Sequence, residues 1–143
     1  PPFGMQICFE DAFPYIARDV VRAGARWLIT QTNDGWFDPG AGSWQHLDQG
    51  VFRSVENRVP TLRCANTGVS GVIDAYGRLQ QILGDDQGQA AMVTAAGVFT
   101  ITVPPTQTRP TFYTRYGDVF AWVMCGVALA GWGLGRKEEG CQA

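Results

Sequence analysis

The first thirty residues combine two short apolar runs with one helical repeat. Residues 5–9 form an apolar run that predicts a buried strand, and residues 27–30 predict a second one. Between the two runs, Asp11 is predicted to cap a helix that has Pro14 in its first turn and ends at Gly24. Its apolar positions are Phe13, Ile16, Ala17, Val20 and Val21. A strand, a helix and a strand in this order are typical of layered α/β folds.

The pattern continues with a loop, a second helix and a series of short strands. Residues 32–40 are rich in turn formers and carry two large aromatic residues, so they predict a loop. Ser43 is expected to cap the following helix, whose apolar stripe consists of Trp44, Leu47, Val51 and Val55. Strands are predicted at 61–65, 69–73, 79–83, 91–94 and 99–103.

A linker at 104–118 separates these elements from an uninterrupted apolar segment. Residues 119–134 contain no charge, and as a helix they would be roughly 24 Å long against about 30 Å of membrane hydrocarbon. Trp122 and Trp132 stand near the ends, and Arg136 and Lys137 follow directly. This arrangement favours a membrane anchor with a cytoplasmic flank, and a buried core helix is the alternative.

Composition excludes several classes of function. The chain has 143 residues, of which 45% are hydrophobic, and its net charge of -2 with no basic cluster excludes a nucleic-acid footprint. Cys8, Cys64, Cys125 and Cys141 lie far apart, which argues against a structural metal, and no motif predicts a cofactor. A disulfide between Cys8 and Cys64 is left open. Because the chain starts with Pro1 and shows no signal peptide, we expect it to be part of a longer protein.

Cys8 is the strongest candidate for a catalytic residue in this sequence. It ends a predicted strand and precedes a helix N-terminus, where unpaired N–H groups and the helix dipole stabilise a thiolate. The backbone N–H of Phe9 can donate to an oxyanion, and Glu10 can orient a base or hold the loop. Composition alone favours the other interpretation, a small core cysteine at a strand end.

Five motifs in sequence carry a resemblance to a known family. They are I-C-F-E-D at 7–11, N-D-G-W-F at 33–37, Q-H-L at 45–47, R-S-V-E-N-R at 53–58 and R-C-A-N-T-G-V-S at 63–70, followed by Asp74. In this order they resemble the apolipoprotein N-acyltransferases, membrane enzymes of the nitrilase superfamily. The resemblance covers most of residues 4–118, and the apolar segment corresponds to the last transmembrane helix of that family.

The resemblance implies an α/β fold, the C-terminal part of a nitrilase-like αββα sandwich followed by one transmembrane helix. Residues 1–103 would belong to the catalytic domain and residues 104–118 to the linker. The transmembrane helix would span residues 119–135, and residues 136–143 would form a cytoplasmic tail. The catalytic domain would lie on the periplasmic side of the bacterial inner membrane.

The resemblance also implies a Glu-Lys-Cys triad. Cys8 matches the nucleophile and Glu10 the glutamate that follows it, whereas Phe9 stands where many members carry tyrosine. The triad glutamate and lysine of the family precede the cysteine, and Lys137 is the only lysine here. We therefore expect this chain alone to be inactive and the Cys8 thiol to keep an ordinary pKa near 8.5.

Other residues are predicted to shape the site. Asn33 and Asp34 are expected to form the turn near Cys8, and Trp36 and Phe37 either pack in the core or line an acyl-chain pocket. His46 is favoured as structural over catalytic. Ion pairs on or beside the second helix are expected for Arg53, Glu56 and Arg58.

The implied reaction moves an acyl chain from a phospholipid donor, through a cysteine thioester, to the N-terminal amine of a diacylated apolipoprotein. Its partners are the phospholipid, the apolipoprotein and the membrane, with no nucleic acid, cofactor or metal. Two alternatives remain open. One is a soluble carbon–nitrogen hydrolase that uses the same cysteine, and the other is a non-catalytic remnant or membrane-tethered binding module.

Overall fold

A five-stranded mixed sheet organises the chain. The computed structural model describes residues 1–37, 40–105 and 109–139. The sheet has the order β1 to β5, with β1, β2 and β3 parallel and β4 and β5 antiparallel. The strands are β1 (Phe3–Ile7), β2 (Trp27–Asn33), β3 (Thr61–Asn66), β4 (Gly71–Ile73) and β5 (Leu79–Ile82). The helices are α1 (Pro14–Arg22), α2 (Gly42–Asn57), α3 (Phe112–Tyr116) and α4 (Val119–Glu139), and a 3-10 turn covers Cys8–Ala12.

Helices α1 and α2 contact each other and cover one face of the parallel strands. On this covered face, Gly4 lies against α1 so closely that a Cβ atom would collide with Val20. One apolar cluster joins α1 to the sheet and another joins α2 to β4. The first consists of Ala17, Leu28 and Val59, and the second of Leu47, Val69 and Ile73. The opposite face, the open face, leaves Phe3, Met5 and Ile7 exposed, because strand residues alternate between the two faces.

Both predicted helix caps are wrong. Helix α1 begins at Pro14 after Phe13, and the Asp11 side chain turns inward to a buried arginine and histidine. Helix α2 begins at Gly42, and no side chain caps it. Ser43 lies inside the first turn and is buried. Asp11 and Ser43 both have side chains that can cap a helix, but neither is the residue directly before the helix. Those residues are Phe13 for α1 and Ala41 for α2.

The sheet contains fewer strands than the sequence pattern predicts. No strand forms at 91–94 or 99–103, and β4 is limited to Gly71–Ile73. Both segments are irregular although β5 leaves one edge of the sheet open, so their β propensity alone does not form a strand. The Val98 side chain is fully exposed.

The predicted linker at 104–118 contains a docked helix. The Thr111 hydroxyl caps α3 by accepting a hydrogen bond from Thr114 N (2.9 Å). Thr111 also donates to the Glu56 carbonyl (2.5 Å), and the buried Thr114 hydroxyl bonds Asn57 Oδ1 (3.0 Å). These bonds attach the segment to the end of α2.

The apolar segment predicted at 119–135 is helical, as α4. Its described side chains are widely exposed, including Phe120 and Trp122 at 73% and 76%. Among the helices in the described part of the chain, none is long and apolar enough to cross a membrane. The transmembrane prediction is therefore not shown, and the predicted tail at 136–143 lies outside the described residues from 140 onward.

Candidate active site

Cys8 stands on a sharp turn at the carboxyl end of β1. Its φ of 53° lies in the left-handed region, which a residue with a Cβ atom rarely occupies. The turn is closed by Glu10, whose Oε2 accepts a hydrogen bond from Ile7 N at 2.7 Å. The Cys8 side chain is only partly buried, so it is not a packed core residue. A strained backbone held by a neighbouring carboxylate, with an accessible sulfur, is typical of a displayed nucleophile.

The surroundings of Cys8 favour its thiolate. The Thr32 hydroxyl hydrogen-bonds the sulfur and lowers the pKa of Cys8 below its ordinary value, although partial burial acts in the opposite direction. The backbone N–H groups of Asn33 and Phe9 and the charge of His46 lower this pKa further. The expectation of an unperturbed thiol is thus wrong, because it counted only the triad residues and not the local donors.

Four ionisable side chains form a closed buried ring behind the Cys8 turn. Arg63 Nη1 donates to Asp11 Oδ2 at 2.6 Å, and Arg63 Nη2 donates to Asp34 Oδ2 at 3.1 Å. His46 Nε2 lies 3.0 Å from Asp11 Oδ1, and His46 Nδ1 lies 2.8 Å from Asp34 Oδ1. All four side chains are buried. We refer to Asp11, Asp34, His46 and Arg63 as the charge ring.

The charge ring is neutral as a whole. The hydrogen bonds to Asp11 and Asp34 raise the pKa of His46 to about 9, against the opposing effect of burial. Burial on its own would raise the pKa of Asp34, but the bond from His46 and the charge of Arg63 outweigh it, so the pKa is lowered. Two carboxylates therefore face two cations at neutral pH. This pairing offsets the cost of removing four charges from water.

The ring ties together the elements that surround Cys8. Asp11 belongs to the Cys8–Ala12 turn and Asp34 follows β2, while His46 lies on α2 and Arg63 on β3. Any Cβ atom at Gly68 would collide with the Asp34 carboxylate, so the β3–β4 turn also closes over the ring. Through the ring, the end of β2, helix α2 and strand β3 therefore all help to fix the conformation of the Cys8 turn.

A second layer of ion pairing supports the ring from α2. Arg53 Nη2 donates to Glu56 Oε1 at 2.9 Å, which confirms the predicted pair. Arg53 Nη1 also lies 3.4 Å from the carbonyl oxygens of Asp11 and Ala12. The guanidinium of Arg58 lies over the Tyr76 ring, with its carbon 5.0 Å from the ring centroid.

The predicted loop residues separate into different roles. Asn33 shapes the turn through its Oδ1, which accepts from Gly35 N at 3.1 Å, whereas the Asp34 carboxylate belongs to the ring. Trp36 is 85% exposed and therefore does not pack in the core. Phe37 is half-buried with its ring edge toward His46, at a centroid distance of 5.8 Å.

A pocket of about 330 Å³ opens beside the Cys8 turn. It is lined by Phe9, Ala12, Phe37, Gly42, Gln45, His46 and Gln49. Phe9 and Phe37 give this pocket aromatic, apolar walls. A larger cavity of about 480 Å³ lies where β2 and β3 begin, lined in part by Arg22, Arg26 and Arg115, and it is remote from Cys8.

Three residues of the site had no functional assignment from sequence: Thr32, Asp11 and Arg63. The turn formers at 32–40 predict a loop, but Thr32 is the penultimate residue of β2, with a buried side chain. The sequence holds one signal for the ring: Asp11 and Asp34 both follow strands of a βαβ-like unit, so they lie at the same edge of the sheet. Arg63, inside a predicted strand, then offered the matching charge.

The described residues also bear on a disulfide and on metal binding. Cys8, Cys64 and Cys125 are free thiols, so the disulfide left open by the sequence does not form. Within the described ranges, no group of three or more His, Cys, Asp or Glu side chains is arranged to hold a metal ion.

Comparison with known proteins agrees with the sequence motifs. The chain is 41% identical over 131 residues to the apolipoprotein N-acyltransferase of Geobacter metallireducens, covering 88% of this chain and 23% of that protein. It is 43% identical over 129 residues to the apolipoprotein N-acyltransferase of Thermotoga maritima, covering 90% and 24%. The chain thus spans about a quarter of the length of these curated relatives. The resemblance to apolipoprotein N-acyltransferases that the motifs indicated is therefore confirmed.

Solved structures share the fold. Nit3 of Saccharomyces cerevisiae, a member of branch 10 of the nitrilase superfamily, superposes with a TM-score of 0.51 at 26% identity, covering 57% of this chain and 33% of Nit3. The carbon-nitrogen hydrolase of Helicobacter pylori gives a TM-score of 0.52 at 18% identity, covering 58% and 36%, which supports the fold alone. The mixed sheet with its helices is therefore a nitrilase-like α/β fold. The carbon-nitrogen hydrolase family matches residues 2–111, and the chain belongs to that family.

Proposed function

We propose that the chain is the nucleophile-bearing part of an apolipoprotein N-acyltransferase. The Cys8 thiolate attacks a phospholipid ester, so a bond forms between sulfur and the acyl carbon, and the lysophospholipid leaves as the ester C–O bond breaks. The amine of a diacylglyceryl-cysteine then attacks the thioester. An amide bond forms, the C–S bond breaks, and the Cys8 thiol is restored.

The observation that carries this proposal is the position of Cys8. Its sulfur lies on a strained turn, with the Thr32 hydroxyl and two backbone N–H groups stabilising the thiolate. We propose that the Phe9 N–H also donates to the oxyanion of the tetrahedral intermediates, because it lies next to the sulfur. The relatives named as apolipoprotein N-acyltransferases supply the choice of reaction within the family.

The pocket beside the turn suits an acyl chain. Phe9 and Phe37 present aromatic surface within it, and His46 forms its inner wall. Burying a fatty chain against these rings would keep water away from the thioester, which otherwise hydrolyses. We infer that Phe37 contacts the acyl chain and that the fully charged ring lies behind it.

Helix α4 is the part that we propose to contact the membrane. Its exposed Phe120, Trp122 and Leu129 cover several sides of the helix, which is unfavourable in water and favourable in lipid. We place the protein at the bacterial inner membrane, with Cys8 on the periplasmic side. The phospholipid donor and the lipoprotein acceptor would both reach the site from the bilayer.

The triad implied by the resemblance needs a glutamate base and a lysine, and the residues described around Cys8 do not provide them. Glu10 is committed to the backbone of its own turn, and Lys137 lies beyond the apolar part of α4. We therefore propose that this chain alone gives no turnover. A glutamate and a lysine from elsewhere would complete the triad implied by the resemblance.

A chimera tests the proposal. The chain would replace the matching segment of the Thermotoga maritima relative, and the purified chimera would be incubated with phospholipid and a synthetic diacylglyceryl-cysteine peptide. Mass spectrometry should show the peptide gaining one acyl chain. Cys8→Ala should abolish the product, whereas Cys64→Ala, which removes an exposed thiol, should retain it.

The same assay distinguishes the alternative reaction. A carbon–nitrogen hydrolase would leave the peptide unmodified and release ammonia from small amides. Amide hydrolysis that depends on Cys8, without acylation of the peptide by a folded chimera, would contradict the proposed acyltransferase function.

A further inference from the structure

The cavity of about 480 Å³ lies at the opposite edge of the sheet from Cys8. Arg26, which directly precedes β2, and Val59, which lies two residues before β3, both line it. Cys8 follows the carboxyl end of β1, and β1, β2 and β3 are parallel. The amino ends of the strands therefore border this cavity, and it is separate from the candidate active site.

Four arginine side chains line the cavity, and each comes from a different place in the fold. Arg22 ends α1, Arg26 precedes β2, Arg58 follows α2 and Arg115 lies on α3. The described lining contains no aspartate or glutamate. In the described part of the chain, none of Arg22, Arg26 and Arg115 forms an ion pair with a carboxylate. The cavity therefore gathers positive charge without a matching anion in its walls.

The arginines keep donors available for a ligand. Arg26 Nη2 donates to the Pro104 carbonyl at 2.5 Å, and the Arg115 guanidinium carbon lies 5.2 Å from the centroid of the Tyr116 ring. A guanidinium has five N–H donors, so one bond to a carbonyl uses only part of its capacity. Its fork of N–H groups matches two oxygens of a phosphate.

Two helices end at the cavity, and their carboxyl ends act against an anion. Helix α1 ends at Arg22 and helix α2 ends at Asn57, and each helix end carries about half a negative charge. The two ends together amount to roughly one negative charge, against four guanidinium groups. Basic side chains here can neutralise the helix ends and still leave the cavity positive.

Apolar residues beside the arginines indicate an amphiphilic anion. The apolar part of the lining consists of Val21, Ala25, Val59, Pro104, Pro105 and Pro110. Inorganic phosphate has no apolar part to place against them. A phospholipid has both parts, because its phosphate suits the guanidinium groups and the start of its acyl chains suits the apolar wall.

The position of the cavity in the chain also favours a lipid. Arg115 lies on α3, and only Gly117 and Asp118 separate α3 from α4. Hydrogen bonds from Thr111 and Thr114 hold α3 against the end of α2, so the start of α4 stays beside the cavity. Helix α4 is the part that we propose to contact the membrane. Arginines beside such a helix lie at the level of the lipid headgroups.

We propose that this cavity binds the phosphate group of an anionic phospholipid, as a lipid contact separate from the acyl-transfer site. A choline headgroup would bring its own cation among the arginines, so a lipid without that cation binds better. The inference rests on the proposed membrane contact of α4. It uses neither Cys8 nor an acyl donor, so failure of the acyl-transfer assay leaves it standing.

The test measures vesicle binding by the full chain. Cosedimentation is compared between vesicles of phosphatidylcholine alone and vesicles that also contain phosphatidylglycerol. The variants are Arg22→Gln, Arg115→Gln and their combination, and both side chains are exposed, so the fold should be kept. Arg78→Gln is the matched control, because it removes one exposed arginine outside the cavity. Urea denaturation is recorded for each variant.

The parent chain should bind the vesicles that contain phosphatidylglycerol more tightly than those of phosphatidylcholine. Each single substitution in the cavity should weaken that binding by roughly fivefold, and the double variant by roughly twentyfold, since each arginine contributes near a headgroup. Arg78→Gln should bind within about twofold of the parent, and the urea midpoints should change little.

Equal binding of the parent to both kinds of vesicle would overturn the proposal. So would a double variant that binds phosphatidylglycerol vesicles as well as Arg78→Gln does. In that case a lowered urea midpoint would assign the arginines to the helix ends. Inorganic phosphate, added at constant ionic strength, separates the two sources of the phosphate group. Vesicle binding should persist in its presence, whereas loss of binding would assign the cavity to free phosphate and overturn the lipid as its occupant.

Discussion

The region behind Cys8, at the carboxyl ends of the parallel strands, buries charged side chains. Helix α4 does the opposite and exposes apolar ones. Behind Cys8, four charged side chains are buried, whereas α4 exposes Phe120, Trp122 and Leu129 to solvent. Soluble proteins normally expose charges and bury such apolar groups. The buried charges hold the Cys8 turn in place. The exposed apolar surface of α4 is the part that we propose to contact the membrane.

The two regions also differ in what makes them stable. The charge ring is complete within the described chain, because every member has two partners from the other members. The described apolar side chains of helix α4 are exposed, and the membrane is the partner that we propose for them. Removing a ring residue should therefore damage folding, and removing an α4 aromatic residue should damage only binding.

The largest expected effect comes from Arg63→Met. It leaves two buried carboxylates opposite one histidine, so we expect the free energy of unfolding to fall by about 3–5 kcal/mol. Urea denaturation followed by circular dichroism measures this. The matched control is Arg22→Met, an exposed arginine, which should change stability by less than about 0.5 kcal/mol. Equal effects of the two substitutions would mean that the ring is not a structural unit.

The protonated state of His46 gives the next largest effect. Folding raises its pKa from 6.5 to about 9, so its contribution is fully present below pH 6.5 and is lost as pH rises through 9. The unfolding free energy should fall by roughly 2–3 kcal/mol across this window. Urea midpoints at pH 6, 7.5, 9 and 10 test the sign, and His46→Gln should remove most of the dependence. A parent protein whose stability rises toward pH 9 would contradict a charged His46.

The exposed aromatic residues of α4 should affect binding more than stability. Phe120→Ser combined with Trp122→Ser should weaken cosedimentation with phosphatidylethanolamine–phosphatidylglycerol vesicles by roughly tenfold or more, since their apolar surface no longer enters lipid. Tyr76→Ser, an exposed aromatic residue between β4 and β5, is the control and should bind as the parent does. If all three substitutions leave binding unchanged, α4 does not provide the membrane contact.

The sequence predicts the two regions unequally well. Hydrophobic periodicity located β2, α1 and α2, because each has a face that must be buried. It also indicated β1, but the apolar Met5 and Ile7 are exposed on the open face and Gln6 is buried instead. It also predicted a helix at α4, where the apolar run is long. These features depend on near neighbours in the chain, which a sequence pattern represents directly.

The hydrophobic pattern does not show which residues that lie far apart in the sequence will pair in the fold. Asp11 has the chemistry of a helix cap, yet it pairs with Arg63, 52 positions away. The strands predicted at 91–94 and 99–103 have suitable composition, yet these residues do not pair with the open edge of β5. The motif resemblance indicates Cys8, whereas nothing in the pattern indicates the pairing of Asp11 and Asp34 with Arg63. Site geometry depends on which residues the fold brings together.

A thioester on Cys8 should accumulate when phospholipid is present and no acceptor can remove the acyl group. The chimera is incubated with phospholipid in the absence of acceptor, and its intact mass is recorded before and after neutral hydroxylamine. We expect a mass increase of one acyl chain, located on the Cys8 peptide and removed by hydroxylamine. An adduct that persists in Cys8→Ala, or one that resists hydroxylamine, would contradict it.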